Sequence, residues 1–179
     1  MKTTIAIFAV LALFGCGADP DRPEPDFYTE LGIGIRVEDG AAEWTQAPDL
    51  GERVDAIAHA MESYTSSPSG IFDGLVIRFS ADFVTCGDSD DHDFGCTWSD
   101  WIDIAAPEEI WFEGNNFPSH LQCVERSSLA HELLHFACPS CLHSYDPICR
   151  DEPGDERCLL FANLPALEQA MLEEHDDCK

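Results

Sequence analysis

The sequence predicts a single α+β domain. Three observations lead there. The chain of 179 residues is long enough for one real core and too short for two comfortable ones. Its apolar fraction, 45%, is that of an ordinary globular protein. Its periodic segments run strand, helix, several short strands, helix, long cysteine-rich loop, helix, without internal repeat.

The elements follow in order. "LGIGIRVEDG" alternates Leu31, Ile33, Ile35 and Val37 and ends at an Asp39-Gly40 turn signal, the pattern of a strand. Asp49 and Glu52 form a capping-box pair ahead of Val54, Ile57, Ala58 and Met61, which predicts a helix over 50–64. "SSPSG" breaks it. "GLVIRFSADFV" is a second strand region, and "WIDIA" and "EIWFEG" are two more, separated by Pro107. A second helix starts at a capping box of Ser119 and Gln122 and runs to Ala137, where Cys138-Pro139 stops it. The loop 138–158 carries Pro147, Pro153 and Gly154. A last helix is expected over 164–174, with Leu164, Leu167, Met171 and Leu172 on one side.

Residues 1–15 read as a secretory signal rather than as fold: Lys2 supplies a basic start, and an apolar run spans 5–14. That run is too short to cross a bilayer as a helix. The ending "LFGC" resembles a bacterial lipobox, which implies lipidation at Cys16, although Phe14 is larger than the residue usual there. Residues 16–26, "CGADPDRPEPD", are polar and proline-rich and read as a lipidated tether, leaving 27–179 as the folded domain. The expected location is therefore outside the cytoplasm, anchored to a bacterial envelope membrane.

The formal charge is −26, from 35 acidic against 9 basic residues. Such a surface repels nucleic acid and anionic lipid headgroups, which excludes nucleic-acid binding as a function, and it gathers cations. Beyond Cys16 the chain has eight cysteines: Cys86, Cys96, Cys123, Cys138, Cys141, Cys149, Cys158 and Cys178. An even set in an oxidising compartment predicts up to four disulfides. Eight cysteines allow 105 pairings; the local expectation is Cys86 with Cys96, closing "GDSDDHDFG".

The chemistry lies in "SLAHELLHFACPSC". His131 and His135 stand four apart, so on a helix they share a face and can bind one metal ion from successive turns. Glu132 lies about 100° round the helix from His131, within reach of a water on that ion. Zinc suits such a donor pair, with a third protein ligand and a water completing a catalytic site. The carboxylate then serves as general base for hydrolysis. Chance yields about 0.02 matches to this pattern in a chain of this length and composition. As two ordinary histidines on a buried helix, the arrangement would place Glu132 among apolar residues with no compensating charge.

"SLAHELLHFA" resembles the active-site helix of the zincin metallopeptidases, and the element order resembles theirs loosely. The resemblance implies a zincin-like domain with a small mixed sheet, an active-site helix and a disulfide-rich C-terminal part. It implies a Zn2+ cofactor, a peptide or protein substrate, and a strand along the cleft, placed at "EIWFEG", to whose edge the substrate adds. The third ligand departs from the family's branches. Where the metzincin branch has glycine and histidine, this chain has Cys138 and Cys141. A glutamate from the following helix, as in the gluzincin branch, would be Glu168 or Glu173. On ligand chemistry the order is His143, then Asp146, then Glu168; a thiolate from Cys141 conflicts with an oxidising compartment. Disulfides can hold a ligand-bearing loop that has little core of its own. The competing use of Cys138, Cys141, Cys149 and Cys158 is a structural zinc site.

Weaker features complete the reading. "DSDDHD" carries Asp88, Asp90 and Asp93 but lacks a calcium loop's glycine and terminal glutamate, and reads as a solvated acidic loop. Trp98, Trp101 and Trp111 read as core, and His59 as structural. Tyr145 and His175 are candidates for stabilising an oxyanion. Three functions compete: a zinc peptidase of the envelope, a non-catalytic zinc-stabilised, disulfide-rich lipoprotein that binds a partner, and a metal-free disulfide module. Glu132 favours the first, because a purely structural site has no use for a base. Substrate and oligomeric state are not encoded legibly.

Overall fold

The computed structural model describes residues 22–86, 94–107, 109–112, 115–118, 126–143, 145–152 and 154–173. Cys16, the signal segment, the acidic loop, Cys123, Cys178, His175 and the expected cap at Ser119 and Gln122 lie outside them.

The centre is a five-stranded mixed sheet in the order β1-β2-β3-β5-β4. The strands are β1 (Phe27–Tyr28), β2 (Gly34–Val37), β3 (Val76–Ser80), β4 (Gly95–Thr97) and β5 (Trp101–Ala105). β2, β3 and β5 are parallel, with Ile35 opposite Ile77 and Ile77 opposite Ile102. The antiparallel β1 and β4 form the two edges. Parallel neighbours need a long crossover, which α1 (Leu50–Thr65) supplies between β2 and β3. Asp49 takes the expected N-cap position of α1 but makes no cap bond; its carboxylate accepts from Arg53 Nε at 2.8 Å instead.

Strand alternation divides the sheet into two faces. Ile35, Ile77, Phe79, Ile102 and Ile104 point to the helices and share one buried cluster with Val54, Ile57, Ala58 and Met61 of α1. Leu129, Ala130, Leu133 and Leu134 of α2 (Arg126–Ala137) and Phe161 and Leu164 of α4 (Glu156–Glu173) complete it. On the opposite face, Arg78 and Asp103 stand in register on β3 and β5, with Arg78 Nη2 donating to Asp103 Oδ2 at 2.6 Å. The Arg78 guanidinium also lies over the Trp101 ring, 4.9 Å from its centroid.

Five departures from the sequence reading matter. "EIWFEG" does not line the main sheet: β6 (Glu109–Phe112) pairs with β7 (Asn115–Pro118) in a separate two-stranded sheet. The edge beside α2 is β4, within a stretch read as a loop. The last helix begins at Glu156 rather than near 164, since its backbone stays helical through Pro165 and buried Cys158 and Phe161 extend its apolar side. A short helix, α3 (Pro147–Asp151), interrupts the expected loop. Residues 22–26, read as tether, already touch the fold: Asp26 N–H donates to Ile35 O at 2.7 Å, and Arg22 pairs with Asp100 at 3.3 Å. No helix among the described residues is long and apolar enough to cross a membrane.

Candidate metal centre

The apolar stripe of α2 fixes where its polar residues go. Leu129, Ala130, Leu133 and Leu134 are fully buried against the sheet and α1. His131 and His135 therefore fall on an adjacent, half-buried stripe that opens to a cleft between α2 and β4. The loop after α2 returns His143 to the same place.

The three imidazoles meet through one kind of atom. Nε2 of His131 lies 3.2 Å from Nε2 of His135 and 3.0 Å from Nε2 of His143, and the remaining edge is 3.2 Å. An ion bound tetrahedrally through metal–nitrogen bonds of about 2.0–2.1 Å needs ligand edges of about 3.3 Å. The triangle fits such an ion, and the three close histidines can hold a metal. Among the described residues no other histidine, cysteine or carboxylate joins the cluster. Burial pushes the His131 side chain down to about 4, with the nearby His143 adding to the effect. Burial likewise pushes His135 down to about 4, helped by His131 and His143. His143 is lowered by burial and partly restored by Asp146. Neutral imidazoles keep the lone pairs that a metal requires.

The disulfides explain how a loop can place His143. Cys138 and Cys141 are bridged across the turn that ends α2, and Cys149 to Cys158 ties α3 to α4. Between them, Leu142 N–H donates to Arg157 O at 2.9 Å. With these four sulfurs in disulfides, the thiolate zinc site has no ligands left. The expected Cys86–Cys96 bridge is present and fastens β4 to the segment before it. Asp146 stands outside the histidine cluster: its carboxylate caps α3, accepting from Ile148 N–H at 2.9 Å. The side chain of Glu168 lies outside the described residues.

Glu132 is 7% exposed and points to β4 rather than into the core. Thr97 Oγ1 donates to its Oε2 at 2.7 Å. A methyl group on Gly95 would sit 2.7 Å from its Cγ and 2.9 Å from its Oε1, so the carboxylate occupies space that only glycine leaves. Glu132 and the three histidines line one cleft of ≈ 800 Å³ together with Gly95, Thr97, Trp98, Phe136 and Tyr145.

Phe161, Gly95, Thr97 and the rim position of Trp98 were not legible in the sequence, whereas Tyr145 was singled out there for another role. Phe161 lies under all three imidazoles, with ring centroids 4.5–5.0 Å away; its only sequence signal is its place one turn after Cys158. Gly95 and Thr97 carried no signal. Trp98 is not core as expected; it is 36% exposed at the rim of the cleft, while Trp101 is buried. Tyr145 stacks on His143, centroids 4.7 Å apart and planes 13° from parallel. His59 is a surface residue 3.3 Å from Glu62. No family model matches the chain, and neither a curated protein nor a solved structure matches it.

Proposed function

We propose that the chain is a zinc-dependent hydrolase of peptide bonds, with Glu132 as general base, exported to a bacterial envelope and anchored through lipid on Cys16. The observation that carries this reading is the triangle of three Nε2 atoms, 3.0–3.2 Å on each side, sharing a cleft with a carboxylate that is not one of its corners. Three neutral imidazoles with no fourth protein donor among the described residues match a catalytic zinc site rather than a closed structural one. Zinc bound there supplies an acidified water and a polarised carbonyl. Glu132, held by Thr97, accepts a proton from water and returns it to the departing amine.

The peptide class rests on β4. Trp98 N–H donates to Trp101 O, and Ala105 N–H to Phe94 O. By antiparallel alternation, Phe94, Cys96 and Trp98 turn their backbone groups to β5, and Gly95 and Thr97 turn theirs outward. Among the described residues no strand pairs with that outer edge, and only the Cys86 sulfur, 3.2 Å from Gly95 O, is seen against it. An extended peptide can add there, beside the histidines. A binding module could use the strand edge alone; the carboxylate beside it favours hydrolysis.

The test compares wild type with Glu132→Gln on a mixed peptide library read by mass spectrometry. Both should carry one zinc, and hydrolysis should fall by about 10²–10⁴ in the variant. Equal activity, or a wild type that cleaves nothing, would end the hydrolase reading.

A further inference from the structure

Both exposed aromatic residues at the cleft are backed on one side and open on the other. Trp98 stacks on buried Trp101, centroids 5.1 Å apart and planes 17° from parallel, and its Nε1 lies 3.4 Å from Asp103 Oδ2. Tyr145, 71% exposed, lies flat on His143, which also stacks on Phe161. An exposed aromatic ring ordinarily forfeits stabilisation by facing water; two rings each stacked on a partner at one cleft are platforms that lose less freedom when something covers them. Among the described residues that line the cleft there is no lysine or arginine, and Glu132 is the only acid.

The geometry points to Trp98 and Tyr145 as paired subsites for large apolar or aromatic side chains of a peptide laid along β4. This deepens the peptidase reading and rests on it. The two platforms lie on opposite sides of the bound strand. Thr97 faces Glu132 on α2, so the next residue, Trp98, faces away, as its contact with Asp103 on the helix-free side of the sheet confirms. Tyr145 stands on the histidine side, against His143. Successive side chains of an added strand alternate in the same way. The preferred peptide therefore carries its two large apolar residues an odd number of positions apart, one for each side. The −26 charge of the chain disfavours acidic residues between them.

Binding tests this without turnover. Zinc-loaded Glu132→Gln is titrated calorimetrically with alanine–threonine decapeptides that carry no phenylalanine, one, or two at separations of one to four. Each well-placed phenylalanine should tighten binding, by up to about tenfold. Pairs one or three apart should gain from both rings, and pairs two or four apart from only one. Trp98→Ala should erase one gain. Tyr145→Ala should erase the other, and Tyr145→Phe should keep it. If Tyr145→Ala releases zinc, the Trp98 arm decides alone. Equal affinities across the panel, gains untouched by Trp98→Ala, or a neutral oligosaccharide that displaces the peptides at equal concentration would overturn the proposal. A wild type that binds these peptides but cuts none would sink the hydrolase reading and leave the subsites standing.

Discussion

The Thr97 hydroxyl sits 2.7 Å from Oε2 of Glu132 and 2.9 Å from the same residue's backbone oxygen, so the edge strand holds both the proposed base and its turn of helix. Thr97→Val keeps the shape and removes the donor. A hydrogen bond to a charged group contributes about 1.5–3 kcal/mol. Part of that difference falls on the reaction, so kcat should drop about tenfold with KM little changed. Thr97→Ser should restore it. Gly95→Ala should cost more than Thr97→Val, because the new methyl meets Glu132 at 2.7 Å while the backbone is pinned to β5. Zinc content should be unchanged in all three variants, and steady-state kinetics beside metal analysis checks both statements.

The ligand set makes a separate prediction. His131→Ala, His135→Ala and His143→Ala should each lose stoichiometric zinc on dialysis. Asp146→Ala should keep it, since that carboxylate caps α3. Its cost should be local, about 1 kcal/mol of stability. Zinc loss in Asp146→Ala comparable to that in His143→Ala would return Asp146 to the list of ligands.

Acid should destabilise the metal-free protein through the same histidines. His131 and His135 titrate at about 4 when folded, against about 6.5 when unfolded. Between those values the unfolded chain binds more protons, so stability falls as pH drops through the window. Above about 6.5 both states are neutral and this contribution disappears. Chelator-treated protein should therefore melt at progressively lower temperature from pH 7 to pH 4.5. Replacing His131 and His135 together by leucine should flatten that slope.

The Cys138–Cys141 bridge should matter to metal more than to fold. The double serine variant should keep the circular dichroism of wild type, because α2 is held by its buried leucines. Its zinc affinity should fall about tenfold or more, as for other lost supports of metal ligands. Competition with a chromogenic chelator measures it.

How much of this was legible depends on where each signal is stored. His131, Glu132 and His135 sit on one helix, and a helix turns spacing into geometry without help from the rest of the chain. His143 emerged by donor chemistry alone, and Asp146 caps a short helix whose start the Asp146-Pro147 pair signals but whose five residues are too few to show a period. β4 escaped because Gly95, Cys96 and Thr97 are three residues without alternation, defined only by pairing with β5. The last helix was read as starting near Leu164 from its apolar spacing, whereas buried Cys158 and Phe161 belong to the same helix, which runs on through Pro165. Trp98 and Trp101 look alike in sequence, and only the end of a strand separates the rim from the interior.

The centre divides into parts with different dependence on chain length. The outermost histidines are 12 residues apart, whereas Thr97 and Glu132 are 35 apart. Closing the shorter loop costs less entropy, and the loop is held further by the Cys149–Cys158 bridge and the Leu142–Arg157 hydrogen bond. The metal centre is in this sense local to the C-terminal part: α2, its stapled turn, α3 and α4 carry the three histidines, both nearby disulfides and the Phe161 ring beneath them. The proposed base is set from outside that part, since the threonine and the glycine that position it belong to a distant strand. On the proposed function, inherited change in β4 would therefore disturb the base and leave the histidine triangle intact, a short route from hydrolase to metal-binding protein.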